Sequence, residues 1–438
     1  MQDWQEEYKR KLIPAEEAAK FVKSGDYVAF TAGREAHAIG LAIAARKDEL
    51  KDVKVAAPAP GYDFGWYDPG WEDSFALTVS WPTATCQQML DEKRCDVGLS
   101  AILPFATETE PPDVLLTEVS PPDERGFCSF GASLWAKRQE IKEAKLTIAE
   151  VNKNLIRTYG DNYIHVSEID YFVEHLSSKA APGMGSLGGR VVKEPEPYVK
   201  RITENVSGLI KDGDTLQIGV GRSTEPMVRL GLFDGKHDIG FHSEATPPGV
   251  IPLVQKGVVN GRRKTLLPGK VVVTSIGGSS REEMEWINDN PLFYLVDLYY
   301  LEDIRVIAAN DNMVAINNAL AIDLTGQITA ETIGTRIVSV AGGQIPFVFG
   351  ALMSKGGRSI TVLPSTAREG TVSRIVPTLA PGSAVTVLRN LADYVVTEYG
   401  VAQLRGKTVR QRAEQLISIA HPDFRAELRK EAQKLYWS

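Results

Sequence analysis

A turn that recurs 188 residues further along constrains this chain more than any other feature in it. Lys23-Ser24-Gly25-Asp26 leads into Tyr27-Val28-Ala29-Phe30, and Lys211-Asp212-Gly213-Asp214 leads into Thr215-Leu216-Gln217-Ile218, with lysine, glycine and aspartate in the same order at one offset. In each copy a helix-like segment ends at the turn, where glycine can take the left-handed backbone conformation, and a short strand follows. The order beyond the turn also repeats. Residues 39–46 have helical spacing and 53–56 read as a strand; residues 225–232 and 239–242 take those places in the second copy. Strand, helix, strand, written twice, calls for parallel sheets covered by helices. The expected fold is α/β, with two similar domains, each a mainly parallel sheet with packed helices.

Residues 181–197 are rich in glycine and proline and lack periodicity, which puts an N-terminal domain at 1–190 and a C-terminal domain at 191–438. Further strands are expected at 145–151, 271–275, 359–363, 384–387 and 394–397, and a helix at 409–419. With 438 residues, 43% of them hydrophobic, and a net charge of −7, the chain can bury two large cores. No long basic run occurs, so no nucleic-acid partner is expected. Residues 1–11 are charged, and no apolar run approaches the roughly 20 residues that cross a bilayer, so the expectation is a soluble cytoplasmic protein without a membrane partner. Cys86, Cys95 and Cys128 are too few and too irregularly spaced for a zinc site or a disulfide framework; reduced thiols and no metal are expected.

Within the second copy, Glu244 closes the run Gly240-Phe241-His242-Ser243-Glu244. Desolvating a carboxylate at the end of a buried strand is costly, and nucleophilic or acid–base chemistry is the usual reason for it. Glu244 is therefore the catalytic candidate. His242 shares its strand face, where both a proton carrier and a packed neutral imidazole fit. Gly219-Val220-Gly221-Arg222-Ser223-Thr224 begins like a dinucleotide fingerprint, but Thr224 stands where the third glycine belongs, and a tight strand-to-helix turn is the better reading. In Ala341-Gly342-Gly343-Gln344 two adjacent glycines let backbone N–H groups approach an oxyanion or a phosphate; a plain loop is the alternative. Ser354-Lys355-Gly356-Gly357-Arg358 reads either as a phosphate grip or as a solvated turn.

Several runs together carry a resemblance: His242-Ser243-Glu244; Asn310-Asp311-Asn312-Met313-Val314-Ala315-Ile316-Asn317-Asn318-Ala319-Leu320 with Asp323-Leu324-Thr325-Gly326-Gln327; Gly342-Gly343-Gln344; Leu363-Pro364-Ser365-Thr366; and Val396-Thr397-Glu398-Tyr399-Gly400-Val401-Ala402-Gln403-Leu404-Arg405-Gly406 leading to His421-Pro422-Asp423-Phe424. In order and spacing they resemble the acetyl-CoA hydrolase/transferase family, family I coenzyme A transferases that include 4-hydroxybutyrate CoA-transferases. The N-terminal half is similar only in overall plan. The resemblance implies two α/β domains with the active site between them, a homodimer, coenzyme A as substrate and no permanently bound cofactor. It also implies that CoA passes from an acyl-CoA to a carboxylic acid through a glutamyl-CoA thioester on Glu244. Gly342, Gly343 and Gln344 would then hold the oxyanion or CoA, and Lys355 a CoA phosphate. Asn317 and Asn318 would orient the pantetheine or a loop, while Glu398 and a buried Tyr399 read as structural.

Where the chain departs from that pattern, the changes concern the acid rather than the chemistry. Ala245-Thr246-Pro247-Pro248-Gly249 replaces a polar, acidic stretch, Pro346 and Phe349 flank Phe347 where relatives carry an aspartate and an arginine, and Glu302 stands where an asparagine would donate to the oxyanion. These imply a less polar acyl pocket, lined by Ala245, Pro346 and Phe349, that takes an acid bulkier than acetate. Trp66, Tyr67 and Trp71 read either as further lining or as an ordinary surface loop. Two other functions use the same residues: an acyl-CoA hydrolase, in which water resolves the glutamyl intermediate, and a non-catalytic acyl-CoA-binding protein.

Overall fold

Both repeated turns close in the same way in the computed structural model, which describes residues 4–99, 110–176 and 194–437. Gly25 and Gly213 are left-handed, with φ of 84° and 82°. Asp26 Oδ2 accepts a hydrogen bond from Lys23 N at 2.7 Å, and Asp214 Oδ2 accepts one from Lys211 N at 2.6 Å. Strands Tyr27–Phe30 and Thr215–Ile218 then begin at the repeat offset. The preceding helices, Ala15–Ala19 and Pro197–Ser207, stop earlier than expected. The turn glycines are thus bends between helix and strand rather than helix caps.

The chain forms two compact units, residues 1–191 with 273–300, and residues 192–272 with 301–438. The contiguous split expected from the sequence is corrected by the segment 273–300, which is tied into the first unit by backbone bonds such as Leu134 N to Thr274 O at 2.8 Å. Most of the Gly/Pro-rich stretch taken as a linker, residues 181–193, lies outside the described residues.

In the first unit seven strands lie in the order Tyr171–Glu174, Thr147–Val151, Val114–Val119, Tyr27–Phe30, Val53–Ala57, Phe75–Val79 and Asp96–Val97. Every pairing among them is parallel. Register sets Glu118 opposite Glu150, a like-charge pair; the Arg34 guanidinium lies 3.1 Å from Glu118, and His175 Nδ1 lies 2.5 Å from Glu150 Oε1. Phe30, Trp66 and Phe75 fill the core of this unit. Trp66 is therefore neither pocket lining nor surface loop, and Tyr67 packs with it; Trp71 lies against the same core, with Lys47 Nζ 4.4 Å from its ring.

The second unit has the strand order Gly400–Gln403, Tyr394–Thr397, Arg358–Val362, Met313–Asn318, Thr215–Ile218, Gly240–Thr246. The pairings given for these strands are parallel except in the Tyr394–Gln403 hairpin. Helix Val409–Ile419 forms over the expected residues, started by a capping box between Thr408 and Gln411. Two expectations fail locally. Residues 384–387 make a single bridge, Val387 to Ile328, and 225–232 hold only a 3-10 turn, Glu225–Met227, with proline at its start and left-handed Gly231 soon after it. No helix among the described residues is long and apolar enough to cross a membrane.

The two turns differ in what else their aspartates hold. Asp26 is partly exposed, whereas Asp214 is buried and receives the Arg358 guanidinium on both oxygens. Asp26→Ala is predicted to cost about 1 kcal/mol, the worth of one turn hydrogen bond. Asp214→Ala strands a buried cation as well and is predicted to cost about 3–5 kcal/mol. Thermal and denaturant midpoints of the two variants, compared with the parent, check the ranking.

Candidate active site

Strand Gly240–Thr246 is paired with Thr215–Ile218 through Thr215↔Gly240 and Leu216↔Phe241. That register carries Glu244 just past the carboxyl end of its neighbour, the edge at which parallel α/β sheets bind ligands. Side chains alternate along the strand, so His242 and Glu244 share one face and Phe241, Ser243 and Ala245 the other. Ala245 thus stands away from Glu244 and does not line the same wall, a correction to the expected pocket. Phe241, Ser243 and Ala245 are buried, while Glu244 is only partly so. The carboxylate at the end of a buried strand, as read from the sequence, is thus largely desolvated yet not sealed off.

Facing Glu244 is the start of helix Gln344–Met353, with Gly343 as its N-cap. A Cβ on Gly343 would fall 2.7 Å from Glu244 Oε2 and 2.9 Å from Glu302 Oε1, so only glycine admits both carboxyls. The Gly343 backbone lies against the Glu244 carboxyl, at the helix end where the backbone dipole favours negative charge. Gly342, at φ 51°, supplies the left-handed bend before it. Gln344 faces elsewhere: its Nε2 donates to Asn318 O at 3.3 Å and ties the helix to the end of the central strand. Gly350 lets the helix approach Ile304–Ala308 so closely that any side chain there would meet Ile307.

One turn on from Gly343, Phe347 is fully buried with its ring 6.1 Å from that of His242. Pro346 is buried beside it, but Phe349, two residues further, points to another side of the helix and is half exposed. Phe347, rather than Phe349, is the aromatic ring on the Glu244 side. The sequence held the signal in the i, i+4 spacing of Gly343 and Phe347.

The third element is the residue pair Leu301-Glu302, just ahead of helix Ile304–Ala308. His242 Nε2 lies 2.8 Å from Leu301 O; a carbonyl can only accept, so Nε2 carries the proton. Burial first, and then the charge of Lys264, push His242 down to about 3. The imidazole is thus neutral at physiological pH and acts as a packed strut, the second of the two readings open from sequence. Glu302 is 1% exposed, and neither of its oxygens meets a hydrogen-bond donor among the described residues; its polar neighbour is the Glu244 carboxyl. Burial raises the Glu244 carboxyl above its ordinary range, opposed by Glu302 and by the Gly343 N–H. Burial, reinforced by the charge on Glu244, holds Glu302 well above its own.

The remaining candidates lie outside this cluster. Asn317 and Gln217 exchange two amide hydrogen bonds at 3.0 and 3.1 Å, and Asn318 Nδ2 donates to Thr224 Oγ1 at 2.6 Å. Side chains at Gly219 or Gly221 would collide with those asparagines, so the glycines of the Gly219-Val220-Gly221 turn make room for protein rather than for a dinucleotide. Glu398 accepts from Ser365 N and Oγ at 2.9 and 2.6 Å, a structural bond. Tyr399 is not the buried residue expected; it is 36% exposed, edge-on to His421 and beside Arg425. Lys355 stands beyond the far end of the Gln344–Met353 helix, exposed, with its Nζ 3.8 Å from Asp311.

Gly343→Ala should leave folding intact, because φ of −69° suits alanine, yet press a methyl group into both carboxyls. The predicted outcome is a fall in kcat of about 10²-fold or more, the scale of losing one oxyanion donor, with an unchanged thermal midpoint.

Comparison with known proteins bears on this geometry from outside. The Acetyl-CoA hydrolase/transferase N-terminal domain matches residues 1–70 and 88–181, and the Acetyl-CoA hydrolase/transferase C-terminal domain matches residues 279–432. The 4-hydroxybutyrate coenzyme A transferase of Clostridium kluyveri is 40% identical, over 99% of this chain and 100% of its own length. The succinyl-CoA:cyclohexane-1-carboxylate CoA transferase of Geobacter metallireducens is 37% identical, over 99% of this chain and 97% of its own. The crystal structure of RipA from Yersinia pestis superposes with a TM-score of 0.89 at 31% identity, covering 100% of both chains. The chain belongs to the acetyl-CoA hydrolase/transferase family and is a CoA-transferase.

Proposed function

We propose that the chain moves coenzyme A from an acyl-CoA to a carboxylic acid through a covalent glutamyl-CoA thioester on Glu244. The observation that carries the reading is the partly exposed Glu244 carboxyl, held at the carboxyl edge of the sheet against the N–H of Gly343. The carboxylate attacks the thioester carbonyl, the C–S bond breaks, and an acyl-glutamyl anhydride and a CoA thiolate result. The thiolate attacks the glutamyl carbonyl of the anhydride and expels the original acid as its carboxylate, leaving Glu244 as the CoA thioester. An incoming acid reverses these steps. One carboxylate replaces another, so the exchange is nearly balanced in free energy and catalysis rests on holding the reactants and steadying the oxyanions. The Gly343 N–H suits that task, at on the order of 3 kcal/mol for a well-placed donor. A homodimeric assembly, which the family resemblance implies, and a cytoplasmic location, expected from the composition, belong to the same reading.

For the acceptor we infer an apolar monocarboxylic acid bulkier than acetate. Phe347 and neutral His242 stand on the Glu244 side of the helix and strand, and among the described residues no cationic side chain acts on the Glu244 carboxyl, which supports an apolar surrounding for the acid. The relative from Geobacter metallireducens, named for cyclohexane-1-carboxylate, fits this inference.

Incubation with an acyl-CoA, trapping with hydroxylamine or borohydride, and peptide mapping by mass spectrometry test the intermediate. The expected label lies on Glu244 and is absent from Glu244→Ala; a label elsewhere, or none, refutes the reading. Release of free thiol as fast without an acid as with one would mark a hydrolase instead. In a panel of acids, cyclohexanecarboxylate and longer-chain acids are expected to exceed acetate in kcat/KM by about 10-fold or more, the worth of one or two extra apolar groups. Should acetate and propionate lead the panel, the acceptor inference fails and the transfer reaction stands.

A further inference from the structure

We propose that Glu302 is a second catalytic carboxyl: it holds one proton against Glu244 and donates it as a hydrogen bond, first to the nucleophile and then to the glutamyl oxygen that turns negative. The proposal rests on the reading of Glu244 as the acylated residue. Its basis is geometric. One point beside Gly343 lies 2.7 Å from Glu244 Oε2 and 2.9 Å from Glu302 Oε1, so the two carboxyls converge on a single spot. Glu302 is sealed from solvent and finds no hydrogen-bond donor among the described residues. Two charged carboxylates in that arrangement would leave an uncompensated buried charge. A single proton between them removes the repulsion and satisfies both groups.

Among the described residues the neighbouring titratable groups are engaged elsewhere: Lys264, buried and pushed down to about 7, donates to Phe241 O at 2.6 Å and is not among the groups acting on Glu302. His242, on the Glu244 strand, is neutral and spends its Nε2–H on Leu301 O. Helix Gln344–Met353 carries no ionisable side chain. On the side of Glu302 itself, Asp303 pairs with Arg305 through bonds of 2.9 and 3.1 Å. Among the described residues, the one charge acting on Glu302 is that of Glu244.

The proton never leaves Glu302 during a turnover. In the resting pair its O–H points at the anionic nucleophile. Once Glu244 is acylated, its charge has passed to the departing thiolate, and the O–H is free to turn to the glutamyl carbonyl oxygen as each thiolate or carboxylate adds there. No proton is taken up or released, which matches a reaction in which one carboxylate and one thioester are exchanged for another. The sign of the pH dependence follows. At acid pH a second proton enters the pair and Glu244 ceases to be a nucleophile; at alkaline pH the last proton leaves, the donor disappears and a second negative charge faces the oxyanion. The profile of kcat/KM is therefore bell-shaped, and both limbs belong to the pair.

Wild type, Glu302→Gln and Glu302→Ala, each as the full chain with acetyl-CoA as donor and hydroxylamine mapping of the adduct, test the proposal. Glutamine keeps a donor that cannot ionise, so Glu302→Gln should still label Glu244, keep kcat within about tenfold of wild type, and lose the alkaline limb. Alanine removes the donor, so Glu302→Ala should still label Glu244 while kcat falls about 10²- to 10³-fold with little change in KM. Wild-type kcat in Glu302→Ala, or an unchanged alkaline limb in Glu302→Gln, overturns the role of Glu302 with the nucleophile intact. If Glu302→Ala does not fold, the near-isosteric glutamine variant decides through its pH profile alone. Absence of label from Glu244 in the wild type overturns the nucleophile reading, and this proposal with it.

Discussion

The candidate site depends on the close approach of Gly343 to the Glu244 carboxyl, because that approach needs three conditions to be met at one point. A strand must end where its neighbour has already stopped, a helix must begin there, and the residue at the helix start must lack a side chain. Each condition has a local cause. Register with Thr215–Ile218 settles the first, the bend at Gly342 and the Gln344–Asn318 tie settle the second, and glycine at 343 meets the third. The helix dipole and the free N–H then counter the burial that would otherwise keep the acid protonated.

A second layer supports that contact. Gly350 draws the helix onto Ile304–Ala308, His242 bonds the carbonyl of Leu301, and Phe347 packs against His242. Together they bring Glu302 to the nucleophile on a peptide held from two sides. Histidine beside a candidate nucleophile invites a proton-transfer role, yet here burial and the nearby Lys264 keep it neutral and make its hydrogen bond a structural one. The ionisable neighbour of Glu244 is a second carboxyl, which meets no hydrogen-bond donor among the described residues, the unusual feature of the site.

Much of this was readable in advance, and the failures share one cause. The repeat at residues 25 and 213 was legible because turn chemistry is local: glycine supplies φ and the following aspartate accepts from three residues back. Glu244 and Gly343 stood out by residue type and position. Ala245 and Phe349 were grouped with them by sequence proximity, but strand alternation and helical pitch turn both away. For Trp66 and Tyr67 the sequence offers only loop or lining, because a cluster of aromatics near glycines and aspartates reads alike in a surface loop and in a core. Only the packing of Phe30 and Phe75 against Trp66 decides between them. The segment 273–300 belongs with the first unit through hydrogen bonds to residues near 134, a pairing across more than a hundred residues that leaves no periodic trace.

From the order of its residues alone, this chain had to make two parallel α/β sheets, and one carboxylate, Glu244, stood out where an apolar run closes. Period, turn type and the cost of burying charge act over a few residues, and a few residues suffice to specify them. That Glu302 is shut away from water, without donors, against the same glycine as Glu244 was decided by tertiary structure. Its partner lies 58 residues earlier in the chain, and the state of a carboxyl depends on which charges and dipoles surround it in space, a sum that exists only after the helix, the strand and the connecting peptide have packed.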